Sequence, residues 1–399
     1  MKKVLLLGGS AQQIPSIVTA KKLGYYTVLC DYLPDNPGQR YVDKFYCVST
    51  TDKEAILRVA QKEKVNGIVA YASDPAAPTA AYVAEKMGLP GNPYRSVDIL
   101  TNKDKYREFL VKHDFCTPKA KGYSSIHEAN KDIDRFKLPV IIKPVDSSGS
   151  KGVSKLINAA NLQRQIEYAL TYSRTKRFII EELVEKKGCQ VAGDGFSVDG
   201  QLVFRCFGND HFDRNNINPF VPVAASFPNV MSEQIQGKIH AQIQRLLTLL
   251  NMKTGAYNFD ILIDKDENVY LMEIGPRNGG NYIPQIIKYA TGVDLAEFTI
   301  KAALGEDCRG IMMQEPQGYW SYYAIHSHKS GILKDIKIDS DVRNKNIWES
   351  YLNYKLGEKV PAFIGSNNAI GILIMKFTTM NEMLEMMDYS QNWINVIVE

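Results

Sequence analysis

Short apolar runs alternate with stretches of helical periodicity through the first part of the chain. Val4 to Leu7, Tyr26 to Asp31 and Gly67 to Tyr71 read as strands, and Ile14 to Leu23, Lys53 to Glu63 and Ala76 to Met87 as helices. This alternation predicts a parallel sheet with helices on its faces, whose ligands sit at the carboxyl ends of the strands. Gly8-Gly9-Ser10, Asp31 and Ala72-Ser73-Asp74 fall at those ends. The turn after the first strand lacks the full Gly-x-Gly-x-x-Gly spacing, so a nicotinamide-dinucleotide reading rests on Gly8 and Gly9 alone. A tight strand-to-helix turn that needs small residues explains the pair equally well.

The pattern then becomes irregular and richer in candidate chemistry. Thr101 or Asn102 is placed to cap a short helix ending near His113, whose lysines read as a solvated face when taken alone. Leu138 to Val145 predicts a buried strand carrying Lys143 at its end, followed by the small-residue loop Ser147-Ser148-Gly149-Ser150-Lys151-Gly152. Small residues let backbone amides approach phosphate oxygens, and a lysine adds a point charge to the same group. A flexible hairpin tip is the alternative, and the spacing is not that of a Walker loop. After a helix over roughly Ala160 to Ser173, Phe178 to Val184 reads as a strand whose end, Glu181-Glu182-Leu183-Val184, offers backbone donors and acceptors to a flat base. Phe196 to Val198 and Leu202 to Phe207 flank Asp199-Gly200 as a hairpin. Gly208 to Pro228 shows little periodicity and predicts a long loop, in which His211 reads as a surface or structural residue.

A helix over Glu233 to Leu250 leads to two alternating runs joined by the polar turn Asp264 to Asn268. This hairpin sets Asp260 against Glu273, with Pro276, Gly279 and Gly280 forcing an irregular backbone around Arg277 and Asn278. Two carboxylates beside an arginine suit Mg²⁺ on nucleotide phosphates, although an ordinary hairpin with solvated carboxylates fits the same residues. Helices follow over about Tyr282 to Ala290 and Leu295 to Ala303. The tail then predicts strands at Tyr319 to Ile325, Ile332 to Ile338 and Ala369 to Phe377, with a last helix over Asn381 to Met387. His326 and His328 share a face but lack a third ligand, which argues against zinc.

Composition narrows the classes without choosing among them. The 399 residues allow two or three domains, and a net charge of +4 with no like-charge block gives no support for nucleic acid or an anionic membrane surface. No apolar run reaches membrane-spanning length. Met1 to Gly9 reads as a first buried strand rather than a leader, and six scattered cysteines argue against a disulfide framework, so a cytoplasmic location is expected.

In this order and spacing the motifs resemble the ATP-grasp superfamily over nearly the whole chain. Within it they are most similar to the carbamoyl-phosphate synthetase-like group, which includes biotin carboxylase, the purine-pathway carboxylate-amine ligases and bacterial L-amino-acid ligases. The resemblance implies an α/β and α+β architecture: an N-terminal parallel-sheet domain over 1–97, a two-lobed ATP cleft over 98–310 with its small lobe at about 115–185, and a small, mostly β C-terminal subdomain over 311–399. It implies ATP with Mg²⁺, for which Mn²⁺ can substitute, small-molecule carboxylate and amine substrates, and an architecture compatible with a homodimer. Lys103 and Lys143 would contact the phosphates, with Ser147, Ser148, Gly149, Ser150 and Gly152 closing over them. Glu181, Glu182, Leu183 and Val184 would hold adenine, and Gln190 would stand where the ribose contact is commonly a glutamate. Asp260 and Glu273 fall on the metal ligands, and Arg277, with Lys143 and Asn278, on the catalytic positions. Gly8, Gly9 and Asp74 would face Gly279, Gly280 and Asn281 across the substrate site.

The family signature usually has Asn where this chain has Gly275, which puts a second metal in doubt; the purine-pathway members share that departure. The expected activity is amide-bond formation through an acyl phosphate, with release of ADP and phosphate. Three other readings stand beside it: a non-catalytic nucleotide or metabolite binder, a carboxylase using bicarbonate, and a nicotinamide-dependent oxidoreductase.

Overall fold

The structure is a computed structural model that describes residues 1–399. The N-terminal strands pair in parallel in the order Lys44–Cys47, Tyr26–Asp31, Lys3–Leu7, Gly67–Val69. Helices Ile14–Lys22 and Lys53–Glu63 connect strands of this sheet and Ala77–Met87 follows the last of them, as the alternating pattern predicts. The edge strand Lys44–Cys47 was not expected. Its residues are exposed or half-buried, so it lacks the continuous apolar run that marks its neighbours.

A small antiparallel sheet follows, ordered Ala120–Tyr123, Phe178–Glu182, Val140–Pro144, Ser154–Leu156. Helices Ile126–Asp132 and Leu162–Thr171 contribute Ala129, Leu162, Ile166 and Ala169 to its core beside Val140, Ile142, Phe178 and Ile180. The large sheet has eight antiparallel strands: Val269–Gly275, Gly255–Ile263, Gln190–Val198, Gln201–Phe212, Pro222–Phe227, Tyr319–Ile325, Gly371–Phe377 and Ile347–Leu352. Thus the segment from 311 onward contributes three strands to the sheet that carries Asp260 and Glu273. It also forms a three-stranded sheet from Lys359–Val360, Gly331–Ile338 and Ile394–Val398. No helix is long and apolar enough to cross a membrane.

Helix Glu233–Leu249 packs Ile239, Ile243, Leu246 and Leu247 against one group of core side chains that includes Tyr257, Phe259 and Ile261. Helix Ile283–Thr291 joins another group that runs through Phe227 and Tyr322 to Trp393. The Asp199-Gly200 turn has positive φ at both residues, 51° and 83°, as a tight hairpin turn of this kind requires.

The stretch 208–228 is not one long loop. Strands continue to Phe212 and resume at Pro222, leaving only 213–221 between them. Asn209, His211 and Ser226 are buried in the sheet: the Asn209 amide donates to the Ser226 hydroxyl at 3.1 Å, and His211 lies 2.8 Å from the same oxygen and 2.6 Å from Asp388 Oδ1. His211 is therefore buried rather than a surface residue, and it lies on the wall of the cleft between the small and large sheets.

Candidate functional site

The register of the final hairpin places Asp260 directly opposite Glu273, with an irregularity between Asp260 and Ile261. Strand Val269–Gly275 extends past the apolar run, so Glu273 lies within it rather than at its end. Asp264 holds the connecting turn by accepting from the Asp266 and Asn268 amides, both at 2.9 Å. Asp260 Oδ1 is buried with no hydrogen-bond partner. Burial, and then the neighbouring Glu273 charge, push the Asp260 carboxyl up to about 7.

Three cations meet these carboxylates. Lys103 starts the helix Lys103–Lys112; its Nζ lies 3.2 Å from Glu273 Oε2 and donates to the Ser147 carbonyl at 2.8 Å. The solvated-face reading therefore fails for Lys103, although Lys105 on the same helix does pair at the surface with Asp98. Asn102 occupies the cap position, but its side chain donates back to the Asp98 carbonyl and carboxylate at 2.8 and 2.9 Å instead of capping. Lys143 is paired with Glu181, whose other oxygen accepts from Arg107 Nε at 3.1 Å. Burial alone would raise the Glu181 carboxyl, but Lys143 and Arg107 outweigh it and hold the group below its usual range.

These groups line a cleft of about 1230 Å³ between the small and large sheets. Ser147, Ser148, Gly149, Ser150, Glu181, Glu182, Leu183, Val184 and Gln190 line it too. The Glu181 side chain is turned into the ion-pair network, and the Glu182 and Leu183 amides already donate to the Lys119 and Pro139 carbonyls at 2.9 and 3.3 Å. Among the backbone hydrogen bonds of this edge, the Val184 amide has no acceptor. Gln190 donates to Asp210 Oδ2 at 3.1 Å. Burial, then the Asp260 charge, hold the Asp210 carboxyl well above its ordinary range. The small-residue loop is docked: Ser150 donates to the Phe220 carbonyl at 2.8 Å, and the Ser366 amide donates to the Gly149 carbonyl at 3.1 Å.

A small cavity of about 40 Å³ adjoins the cleft and is lined by Asp74, Asn102, Lys103, Asp146, Arg174 and Glu273, among others. It brings the first sheet's carboxyl edge to the hairpin. Arg277 Nε donates to Asp74 Oδ1 at 2.7 Å and Nη2 to Oδ2. A Cβ on residue 275 would lie 2.9 Å from Asp74 Oδ1 and 3.3 Å from Arg277 Nε, so the pair occupies the space that any larger residue at Gly275 needs. Asn278 is fully buried and accepts from the Thr299 hydroxyl at 2.9 Å, which keeps it out of the cleft lining. Gly279 donates to buried Asp194 at 2.7 Å, and the Asn281 amide to Gln12 at 2.9 Å. Gly9 donates to Asp31 at 2.7 Å, while a Cβ on Gly8 would collide with Gln13. The Asn281–Gln12 bond thus ties the segment after the hairpin to the turn after the first strand.

Arg107, Arg174, Asp194 and Asp210 were not singled out by sequence reasoning. Arg107, Asp194 and Asp210 are brought in by residues distant in the chain, and Arg174 only as a wall of the small cavity, so only the three-dimensional arrangement reveals them.

The carboxylate pair supplies only oxygen donors, one of them a buried oxygen without a partner, and this set fits Mg²⁺. Residues 136–285 match the family model described as the ATP-grasp domain, and the chain carries the ATP-grasp fold. The carbamoyl phosphate synthase large chain of Clostridium acetobutylicum is 22% identical over 295 residues, covering 73% of this chain but only 27% of that longer protein. The crystal structure of an L-amino acid ligase from Bacillus licheniformis superposes with a TM-score of 0.82 at 20% identity, covering 100% of this chain and 99% of the other. That of phosphoribosylglycinamide synthetase from Anaerococcus prevotii gives 0.76 at 21%, covering all of both chains.

Proposed function

We propose that the chain is an ATP-dependent carboxylate-amine ligase. One observation carries this reading: Asp260 and Glu273 stand opposite each other at the floor of a cleft that also collects Lys103 and Lys143. Such a set holds a nucleotide polyphosphate and its metal, and a pure metabolite binder has no need of it.

In this reading adenine lies against Ile141, Leu183 and Leu262, with the Val184 amide available to a ring nitrogen. Gln190 and Asp210 offer polar contacts to the ribose, and the Ser147 to Gly152 loop covers the phosphates. Asp260 and Glu273 would hold Mg²⁺, which when bound would neutralise phosphate charge. Glu273 would then share its charge between the metal and Lys103.

The substrate carboxylate is placed at the cavity between Asp74, Lys103 and Arg174, beside the Asp74–Arg277 pair. There a carboxylate oxygen attacks the γ-phosphorus, its bond to ADP breaks, and an acyl phosphate forms. Amine attack on the acyl carbon then expels phosphate and leaves an amide. Lys103, Lys143 and Arg277 would stabilise the charge on the transferring group, with Asp74 holding the Arg277 guanidinium in place. Asn278, buried behind Arg277, would act as support through its carbonyl, which accepts from Arg277 Nη1 at 2.9 Å. Free small-molecule substrates and a cytoplasmic setting accompany this reading.

The test is ADP release from Mg-ATP against a panel of amino acids and small carboxylates, singly and in pairs. Amine-dependent turnover that Glu273→Gln abolishes supports the reading. Turnover requiring bicarbonate and no amine replaces it with carboxylation. Tight ATP binding without turnover across the panel favours the binding-protein alternative.

A further inference from the structure

Outside the cleft floor, one cluster of potential ligands converges on a single oxygen. His326 and His328 lie just past strand Tyr319–Ile325, and the sequence offers them no third partner. The fold supplies one from more than a hundred residues away. Asp213, where the 213–221 loop begins, places Oδ2 at 3.2 Å from His326 Nε2 and 2.7 Å from His328 Nε2.

The hydrogen bonds around the cluster fix its chemistry. His326 Nδ1 lies 2.8 Å from the Ala324 carbonyl, which can only accept, so Nδ1 donates and Nε2 is the ring nitrogen turned toward Asp213. Asp213 Oδ1 is occupied by the Asn215 amide at 2.8 Å, leaving Oδ2 for the histidines. Nε2 and a carboxylate oxygen therefore face each other at 3.2 Å, a contact that either a proton on Nε2 or a metal ion between the two can satisfy. A histidine whose second nitrogen is fixed by a backbone carbonyl is the usual setting of a metal-bound imidazole.

We propose that Asp213, His326 and His328 bind a divalent transition metal, Zn²⁺ by preference. Two imidazoles and one carboxylate suit zinc and disfavour Mg²⁺, which prefers an all-oxygen shell. A tetrahedral ion about 2.05 Å from each ligand spaces the ligand atoms about 3.3 Å apart. The three atoms already lie within 4.8 Å of one another, so small rotations of the half-exposed His328 complete the set. The ion would fasten the start of the 213–221 loop to the end of the strand. That loop carries Asn218, which donates to the Ser150 carbonyl at 2.8 Å, and Phe220, whose carbonyl accepts from Ser150. The site is thus a fastening for the segment on which the small-residue loop rests.

The test is titration of the protein with Co²⁺ in excess Mg²⁺, added to fill the carboxylate pair proposed to hold it. The wild type is expected to bind one equivalent with a visible d–d band, and His326→Gln and His328→Gln each to weaken binding roughly 100-fold or more. Zn²⁺ is expected to displace the Co²⁺ and to raise the thermal midpoint of the wild type but of neither variant. His328→Gln, at a half-exposed position, is expected to melt like the wild type without metal, which separates loss of ligand from loss of fold. No stoichiometric Co²⁺ binding by wild type, or an unchanged band in the His326→Gln/His328→Gln double variant, would overturn the proposal and leave a hydrogen-bonded His–Asp–His cluster. This outcome is independent of the ligase assay.

Discussion

Arg277 grips Asp74 through two parallel hydrogen bonds across 203 residues of sequence, and the pair fills the space beside Gly275. Both side chains are largely buried, 11% and 15% exposed. Removing the acid leaves a guanidinium without its counter-charge, so Asp74→Ala is expected to cost about 3 kcal/mol. Gly275→Ala is expected to cost about 1–3 kcal/mol, because its methyl would push Asp74 off Arg277. The combined variant should lose less than the sum, since the methyl then enters space vacated by the carboxylate. Urea unfolding of the two single variants and the double variant checks this. Full additivity would show that the pair does not occupy that space.

Asp194 provides a pH-dependent prediction at the same junction. It is fully buried, and burial pushes its carboxyl up to about 6 despite hydrogen bonds from the Gly279 amide and Asn258. The unfolded chain ionises near pH ~3.9, so between about 4 and about 6 the folded state holds more protons than the unfolded one. Stability from this group is therefore full below about pH 4 and lost as pH rises through about 6, by about 3 kcal/mol. Asp194→Asn is expected to lose this slope. The stability difference between wild type and variant, from urea melts between pH 4 and 8, should shift by that amount in favour of the variant. A flat difference would place the Asp194 carboxyl near its ordinary range.

Local pattern revealed the hairpin and hence the Asp260–Glu273 opposition, because the two apolar runs and the polar turn are contiguous. It also revealed Lys103 and Lys143, though not their partners. Arg107 looks like one more charge on a mixed helix; only the arrival of Glu181 from the small sheet buries it. The polar strand residues Asn209, Asp210 and His211 mimic a loop because their hydrogen-bond partners lie in neighbouring strands and at Asp388. Strand Ile347–Leu352 escaped notice because half of its residues, including Trp348, are exposed at the sheet edge. Asp213 was likewise invisible as a partner of His326 and His328, since sequence distance hides spatial convergence.

The Lys143–Glu181–Arg107 network predicts opposite balances of stability and binding for its members. Glu181→Gln leaves two cations facing each other in a site where Glu181 and Arg107 are 2% and 3% exposed, and is expected to cost about 3–5 kcal/mol. Lys143→Met keeps the Arg107–Glu181 pair, so its stability loss should be smaller. Because Lys143 lines the nucleotide cleft, its loss should weaken Mg-ADP binding at least about tenfold, the effect of roughly 1.4 kcal/mol. Chemical unfolding and titration calorimetry together check the split. A Lys143→Met variant that binds Mg-ADP normally would remove this lysine from the phosphate site.

The docked small-residue loop yields a prediction about access to the cleft. Gly149 has φ of 65°, and a Cβ built there would lie 2.2 Å from the Ser366 hydroxyl but 3.4 Å from the Ser366 Cβ. Gly149→Ala therefore carries two penalties: a left-handed backbone, costing about 1 kcal/mol, and a clash that forces the loop off the 364–366 segment. Ser366→Ala removes the clashing oxygen and keeps the Ser366 amide bond to the Gly149 carbonyl. The single Gly149→Ala variant is expected to show faster proteolysis within 147–152 and a raised KM for ATP. Adding Ser366→Ala should recover most of the protection while leaving the backbone penalty. If the second substitution recovers nothing, the clash is not what lifts the loop, and the left-handed conformation of Gly149 alone governs its closure.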